Sequence, residues 1–273
     1  METKELNDLK QSLKKQYFSN SMLQAYLDCK KGKGCLYQFY HQFVVKDYQP
    51  EPSAAMQLGI WFEYKCTGAM PRSNVVPEPV TLKNGNLSAD YDRMLTQVEN
   101  FKKIVDVYNI NINEVSKEIV YRRIKGILDI WCEIDNVPSI IDLKATGQIG
   151  NKWDEYGWDE RNFQYSNHIL QPAIYKYLIY KTLGIEDVPF YYLVFSTKNS
   201  DILFWEVKYI DFYETCEKVE QLADELDIFI QNADEKNYTP ICEYKICTNC
   251  QMTNCFFRQE VPKVEQQILK LEL

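Results

Sequence analysis

No stretch of this 273-residue chain approaches the ~18 consecutive apolar residues that a membrane-spanning helix needs. That excludes helical membrane proteins. The opening residues, Met1-Glu-Thr-Lys-Glu-Leu-Asn-Asp8, are polar and mixed in charge, unlike a secretory leader, so a cytoplasmic protein is expected. Internal repeats, low-complexity segments and helicase motifs are all missing. An excess of positive charge is missing too: 31 Lys and Arg stand against 39 Asp and Glu, a net charge of −8. A binder of polyanions would therefore have to concentrate its cations locally. Three clusters offer themselves: Lys30, Lys31 and Lys33; Lys102 and Lys103; and Arg122, Arg123 and Lys125. Taken one by one, each reads more readily as a solvated surface than as a binding patch.

Aromatic residues and cysteines are what the chain has in quantity. Twenty Tyr and 13 Phe can fill a sizeable core, in one large domain or one domain with appendages. Nine cysteines in a cytosolic chain do not imply a disulfide framework. Cys66, Cys132 and Cys216 stand alone in apolar segments and are expected as small buried hydrophobes. Cys29 and Cys35 lie near the start, while Cys242, Cys247, Cys250 and Cys255 crowd near the end.

The hydrophobic pattern predicts a charged amphipathic helix over 1–16. A capping box at Ser21-Met-Leu-Gln24 predicts a short helix to about Leu27. Helices follow at about 54–69 and 89–108, on either side of a Pro-, Asn- and Gly-rich loop. The period then shortens to that of strands at 118–122, 127–134 and 139–143, with Asp135-Asn-Val-Pro138 as a turn. The latter part of 162–183 reads as a helix, with strands at about 189–196 and 202–209 and a helix from 211 to 231 after it. This order predicts a mixed α/β core with helical additions.

The informative chemistry sits on two of those strands. Gly126-Ile-Leu-Asp129 carries one acid, and Asp142-Leu-Lys144 carries an acid and a lysine. Alternation along a strand puts Asp142 and Lys144 on one face. Two carboxylates suit a hard divalent cation such as Mg²⁺ or Mn²⁺, which lowers the pKa of bound water and offsets phosphate charge. Lys144 beside them could orient or deprotonate the water, or stabilise the charged transition state. Glu63, in Gly59-Ile-Trp-Phe-Glu63, either faces solvent or supplies a third carboxylate.

These motifs resemble the RecB-like branch of the PD-(D/E)XK nucleases, in order and over most of the chain. Gly126-x-x-Asp129 is similar to the family's G-x-x-D strand and Asp142-Leu-Lys144 to its D/E-x-K strand. Gln171-Pro-Ala-Ile-Tyr175 resembles its Q-x-x-x-Y helix, with both side chains on one face. Gly59-x-x-x-Glu63 falls where many members carry G-x-x-x-H. The resemblance implies a restriction-endonuclease-like core with a central mixed sheet flanked by helices, over residues 54–232. It implies a metal site of Glu63, Asp129, Asp142 and the Leu143 carbonyl. Gln171 and Tyr175 would contact DNA or brace the site, and His168, one turn earlier, would be structural. The implied activity is a metal-dependent DNA exonuclease on single strands or duplex ends, in recombination, repair, phage genome processing or CRISPR adaptation, alone or with a protein partner. A catalytically inactive DNA-binding or assembly module is the other reading.

The cysteines fit an iron–sulfur subgroup of the same family. Ser19-x-Ser21-x-Leu23-x-x-Tyr26-x-x-Cys29 resembles its entry segment and Cys247-x-x-Cys250-x-x-x-x-Cys255 its exit. A [4Fe–4S] cluster on Cys29, Cys247, Cys250 and Cys255 would tie an N-terminal segment (1–53) to a C-terminal one (233–273). Cys35 could replace Cys29, Cys242 could replace one of the last three, and four thiolates also suit a structural Zn²⁺.

Overall fold

The computed structural model describes residues 16–147, 149, 169–208 and 211–232. The expected helix over 1–16, His168 and the C-terminal cysteines lie outside the described residues, apart from Gln16. The chain divides into two compact units: residues 1–51 with 220–273, and residues 52–219.

In the first unit, the N-cap of α1 (Asn20–Lys30) lies two residues before the start of the expected capping box. Ser19 is its N-cap and accepts from the Met22 N–H at 3.3 Å. Gln24, which a capping box would turn back toward the N-terminus, donates forward to Asp28 at 2.9 Å instead. Met22, Leu23 and Tyr26 are its buried face. The aromatic-rich stretch after α1 forms α2 (Leu36–Phe39) and a π-helical turn, Tyr40–Val45, closed by Lys46 in the left-handed region.

In the second unit, α3 (Ala54–Thr67) is capped by Ser53, which accepts from Met56 N at 3.2 Å, and ends at Gly68 with φ of 72°. α4 (Ala89–Val107) has Asp90 and Asp92 in its first turn, favourable beside the positive end of the helix dipole. Three long strands follow: β1 (Ile110–Tyr121), β2 (Ile124–Ile134) and β3 (Val137–Thr146). The start of β1 is eight residues earlier than its own pattern shows. Its polar segment around Asn111–Glu114 is carried by pairing to β2, and a bulge between Ile112 and Glu114 breaks the alternation. The turn between β2 and β3 is only Asp135-Asn136, both at positive φ, so Val137 and Pro138 already belong to β3.

A helix, α5 (Leu170–Leu183), then makes the crossover that parallel pairing of β3 with β4 (Phe190–Ser196) demands. Pro172 sits in its first turn, where its missing N–H is tolerated. β5 (Ile202–Val207) returns antiparallel to β4. The five strands of this unit run in the order β1-β2-β3-β4-β5, mixed in direction. One face is covered by α3 and α4, through Leu58, Trp61, Phe62, Tyr91, Met94 and Phe101 against Ile130, Ile141, Leu143 and Phe195. Cys132 and Cys216 are buried as expected, whereas Cys66 is half-buried. The final helix, α6 (Phe212–Gln231), contributes its residues from Glu220 onward to the first unit. There Phe229 packs on Tyr26, ring centroids 5.2 Å apart, and Glu225 pairs with Lys30. The α/β architecture with a central mixed sheet agrees with the expectation.

Candidate active site

The β2–β3 ladder runs from Ile134 opposite Val137 to Ile130 opposite Ile141, and stops there. Asp129 and Asp142 are the next residue on each side. Beyond them the partnership of β3 with β4 continues as far as Thr146 opposite Ser196. The two strands bearing the acids therefore part where the acids stand. Asp129 bridges the opening: its Oδ2 accepts from the Leu143 N–H at 2.9 Å. A backbone donor that leaves the ladder is thus satisfied by a carboxylate.

Asp142 is completely buried. Its Oδ1 accepts from the Gln171 side-chain amide. Its Oδ2 lies 2.5 Å from the Lys144 ammonium and has no other donor among the described residues. Lys144 is 30% exposed, so it spans from the buried acid to solvent. Gln171 in turn lies near enough to the Tyr175 hydroxyl, one helical turn along α5, to influence it. This makes a continuous polar chain, Tyr175–Gln171–Asp142–Lys144, inside an apolar shell.

Gly126 explains how α5 comes so close. A Cβ at this position would meet Leu178 Cδ1 at 2.8 Å and Tyr175 Cε1 at 3.0 Å. The motif glycine is there because the helix and the Tyr175 ring lie directly on the strand. Gly59 has no such reason: open space surrounds its missing Cβ.

Crowding acids in a buried place shifts them all one way. Burial raises the pKa of Asp129 well above its ordinary value, and the charges of Asp142 and Glu63 add to the rise. Glu63 is raised by burial and then by Asp142, with Lys144 and Arg72 opposing. Asp142 is raised by burial, which outweighs Lys144 and Gln171. The Tyr175 hydroxyl is raised by burial and by both aspartates. Glu63 thus feels the charge of the aspartates. Even so, among the described residues no three His, Cys, Asp or Glu side chains are grouped closely enough to form a ready-made metal triad. Asp129 is turned to the Leu143 N–H, and Asp142 to Gln171 and Lys144.

A stability prediction follows for the protein in EDTA. Raised carboxylate pKa values mean that the folded state holds more protons than the unfolded one. Their contribution to stability is present at low pH and lost as pH rises past the ordinary aspartate range through the raised values. Asp129→Asn should therefore raise the melting temperature at pH 8 in EDTA and flatten its fall with pH. A thermal melt across pH checks this, and a lower melting temperature at pH 8 would contradict it.

The cation clusters fare differently from the acids. Lys30 is paired with Glu225, Lys102 with Glu99 at 2.7 Å and Lys125 with Glu118 at 2.6 Å. Arg122 lies over the Tyr121 ring, 5.6 Å from its centroid. Cys29 and Cys35 are close enough to interact electrostatically. Burial, with Cys35 and Asp28 adding to it, pushes the Cys29 thiol up to about 12. Two polar residues of α4, Arg93 and Gln97, which the sequence did not single out, grip the turn between β4 and β5. They occupy ordinary positions of an amphipathic helix, so no local pattern marks them.

No protein-family model matches this chain, and no curated protein matches it. Among solved structures, that of a candidate exonuclease from Eubacterium rectale aligns with a TM-score of 0.62 at 17% identity, covering 93% of this chain and 95% of that one. A second, SSO0001, aligns at 15% identity over 58% of this chain and 67% of that one, with a TM-score of 0.30, too low to bear on the fold. The chain shares the fold of the first, a mixed sheet flanked by helices, over nearly its whole length.

Proposed function

We propose that this protein is a divalent-metal-dependent DNA nuclease of the RecB-like PD-(D/E)XK kind, an exonuclease on single strands or duplex ends. The observation that carries this reading is the meeting of Asp129, Asp142 and Lys144 where β2 and β3 part, with Gln171 braced by Tyr175 behind them.

The donor set fits a hard cation. Carboxylate oxygens suit Mg²⁺ or Mn²⁺. Asp142 Oδ2 is a buried oxygen whose polar partner among the described residues is the Lys144 ammonium. The mutual repulsion of the acids is what a cation would offset. Asp129, Asp142, the Leu143 carbonyl and Glu63 would hold it. Once bound, such an ion supplies an acidified water and neutralises charge on the phosphate. Gln171 fixes the Asp142 carboxylate so that one oxygen stays aimed outward. Lys144, reaching from Asp142 to solvent, places a positive charge beside the site to orient the attacking water and stabilise the charged transition state.

The same proposal places a [4Fe–4S] cluster on Cys29, Cys247, Cys250 and Cys255. Support comes from the first unit, where α6 packs against α1 through Phe229 and Tyr26, so that the chain leaves α6 beside the helix bearing Cys29. Anaerobic purification should give a coloured protein with a broad band at about 400 nm and bound iron. A colourless protein with one zinc would replace the cluster by a zinc site and leave the nuclease reading standing. The nuclease reading is tested by incubating linear duplex and single-stranded DNA with Mn²⁺ or Mg²⁺. DNA that is bound but never cut in any divalent metal would turn it into the inactive-module reading.

A further inference from the structure

The turn between β4 and β5, Ser196 to Asp201, is held with unusual thoroughness for a surface connection. Ser196 Oγ accepts from the backbone N–H groups of Lys198 and Asn199, both at 3.1 Å. Asn199 Oδ1 accepts from Asp201 N at 3.0 Å. From α4, the fully buried Gln97 donates to the carbonyls of Ser196 at 3.2 Å and Asn199 at 3.1 Å. Its own carbonyl accepts from Asn100 at 2.9 Å. Arg93 donates to the Thr197 carbonyl. Thr197 N donates to Thr146 O at 2.8 Å, which extends the β3–β4 partnership one step past the end of the strands. Burying an amide and using a guanidinium on backbone carbonyls is a strong arrangement for a turn that a two-residue loop could have made.

What this clamp presents is Lys198. Its side chain is 65% exposed, and its nearest acid, Asp90, is 3.9 Å away. It lies along Gly147: a Cβ there would be 3.2 Å from Lys198 Cε and 3.6 Å from Cγ. Gly147 follows Thr146 on the strand bearing Asp142 and Lys144, so Lys198 crosses the end of that strand. Gly147 stands three positions after Lys144, about 10 Å of strand. That corresponds to roughly three nucleotides at ~3.4 Å of axial rise each.

We propose that the clamped β4–β5 turn is a phosphate-contacting element, in which Lys198 binds the backbone of the DNA strand a few nucleotides from the carboxylate site. This rests on the nuclease reading above and adds a substrate-binding residue to it. The turn is rigid because a contact at this distance must keep register with the scissile bond. A fixed backbone carrying one long flexible cation meets that need. Gly147 leaves the room for the lysine to lie across the strand end.

The test uses the full chain and a labelled single-stranded oligonucleotide in EDTA, across a KCl series. Lys198→Ala should weaken binding several-fold at low salt. The slope of log affinity against log salt should fall by about 0.7, the value of one lost phosphate contact on a single strand. Lys198→Arg should retain the slope. With Mn²⁺, Lys198→Ala should raise KM and leave kcat unchanged, with an unchanged melting temperature. An unaltered affinity and slope in Lys198→Ala, in a protein that still cleaves DNA, would overturn this proposal alone. If the wild type neither binds nor cleaves DNA, this proposal and the nuclease reading fall together.

Discussion

Asp142→Ala is expected to reduce Mn²⁺-dependent DNA cleavage by about 10³-fold or more, with the fold retained. Asp142 joins every polar element of the site: Gln171 on one oxygen, Lys144 on the other, and the charges of Asp129 and Glu63 around it. Its removal deletes a metal-binding oxygen and releases Lys144 and Gln171 together. Stability should change little or rise, because a buried acid with a raised pKa is removed. Lys144→Ala should lower cleavage by about 10²–10⁴-fold, the range for loss of a positioned catalytic group. It leaves Asp142 buried without its cation, so it should also lower the melting temperature, unlike Asp142→Ala. Cleavage assays on both variants, alongside circular dichroism, check the pair. Persistent cleavage by both would mean that the reaction is carried elsewhere.

Gly126→Val is expected to destabilise the protein by about 1–3 kcal/mol and to depress cleavage even where it remains folded. A single added Cβ already meets Leu178 and the Tyr175 ring at 2.8–3.0 Å. A valine must push α5 outward, and Gln171 and Tyr175 would move with it. The loss of activity would therefore exceed what the unfolded fraction explains. Gly126→Ala should show the same effect more weakly. Leu178→Ala should cost less stability in the Gly126→Ala background than in the wild type, since it removes the closest atom, so the pair should not be additive. Denaturant melts read the stability, and cleavage measured well below the midpoint reads the displacement. A Gly126→Val protein that melts and cleaves like the wild type would refute the account of the motif glycine.

Among the described residues, local patterns recovered the longer helices and most strands because burial on one face writes a period into the sequence. They failed where a partner strand, and not the segment's own residues, made the structure. The first half of β1 is polar and bulged, and it is a strand because β2 lies beside it. The cap of α1 was displaced for a similar reason: several hydroxyls could serve, and only the fold of the entry segment selects Ser19. That Asp129, Asp142 and Lys144 would stand close together was legible because strand alternation and order already place them so. The sequence could not say that Asp129 would turn to the Leu143 N–H, or that no tight three-carboxylate group would be present among the described residues.

By itself, then, the sequence determined the succession of elements, the apolar faces and the acids and lysine of two neighbouring strands. These are properties of short segments, read through spacing. The tertiary structure alone decided that β2 and β3 part at the acids, that Gly126 admits α5, and that Gln97 and Arg93 clamp the turn presenting Lys198. These depend on contacts between residues from 14 to 104 positions apart in the chain, and no local period encodes where such segments meet.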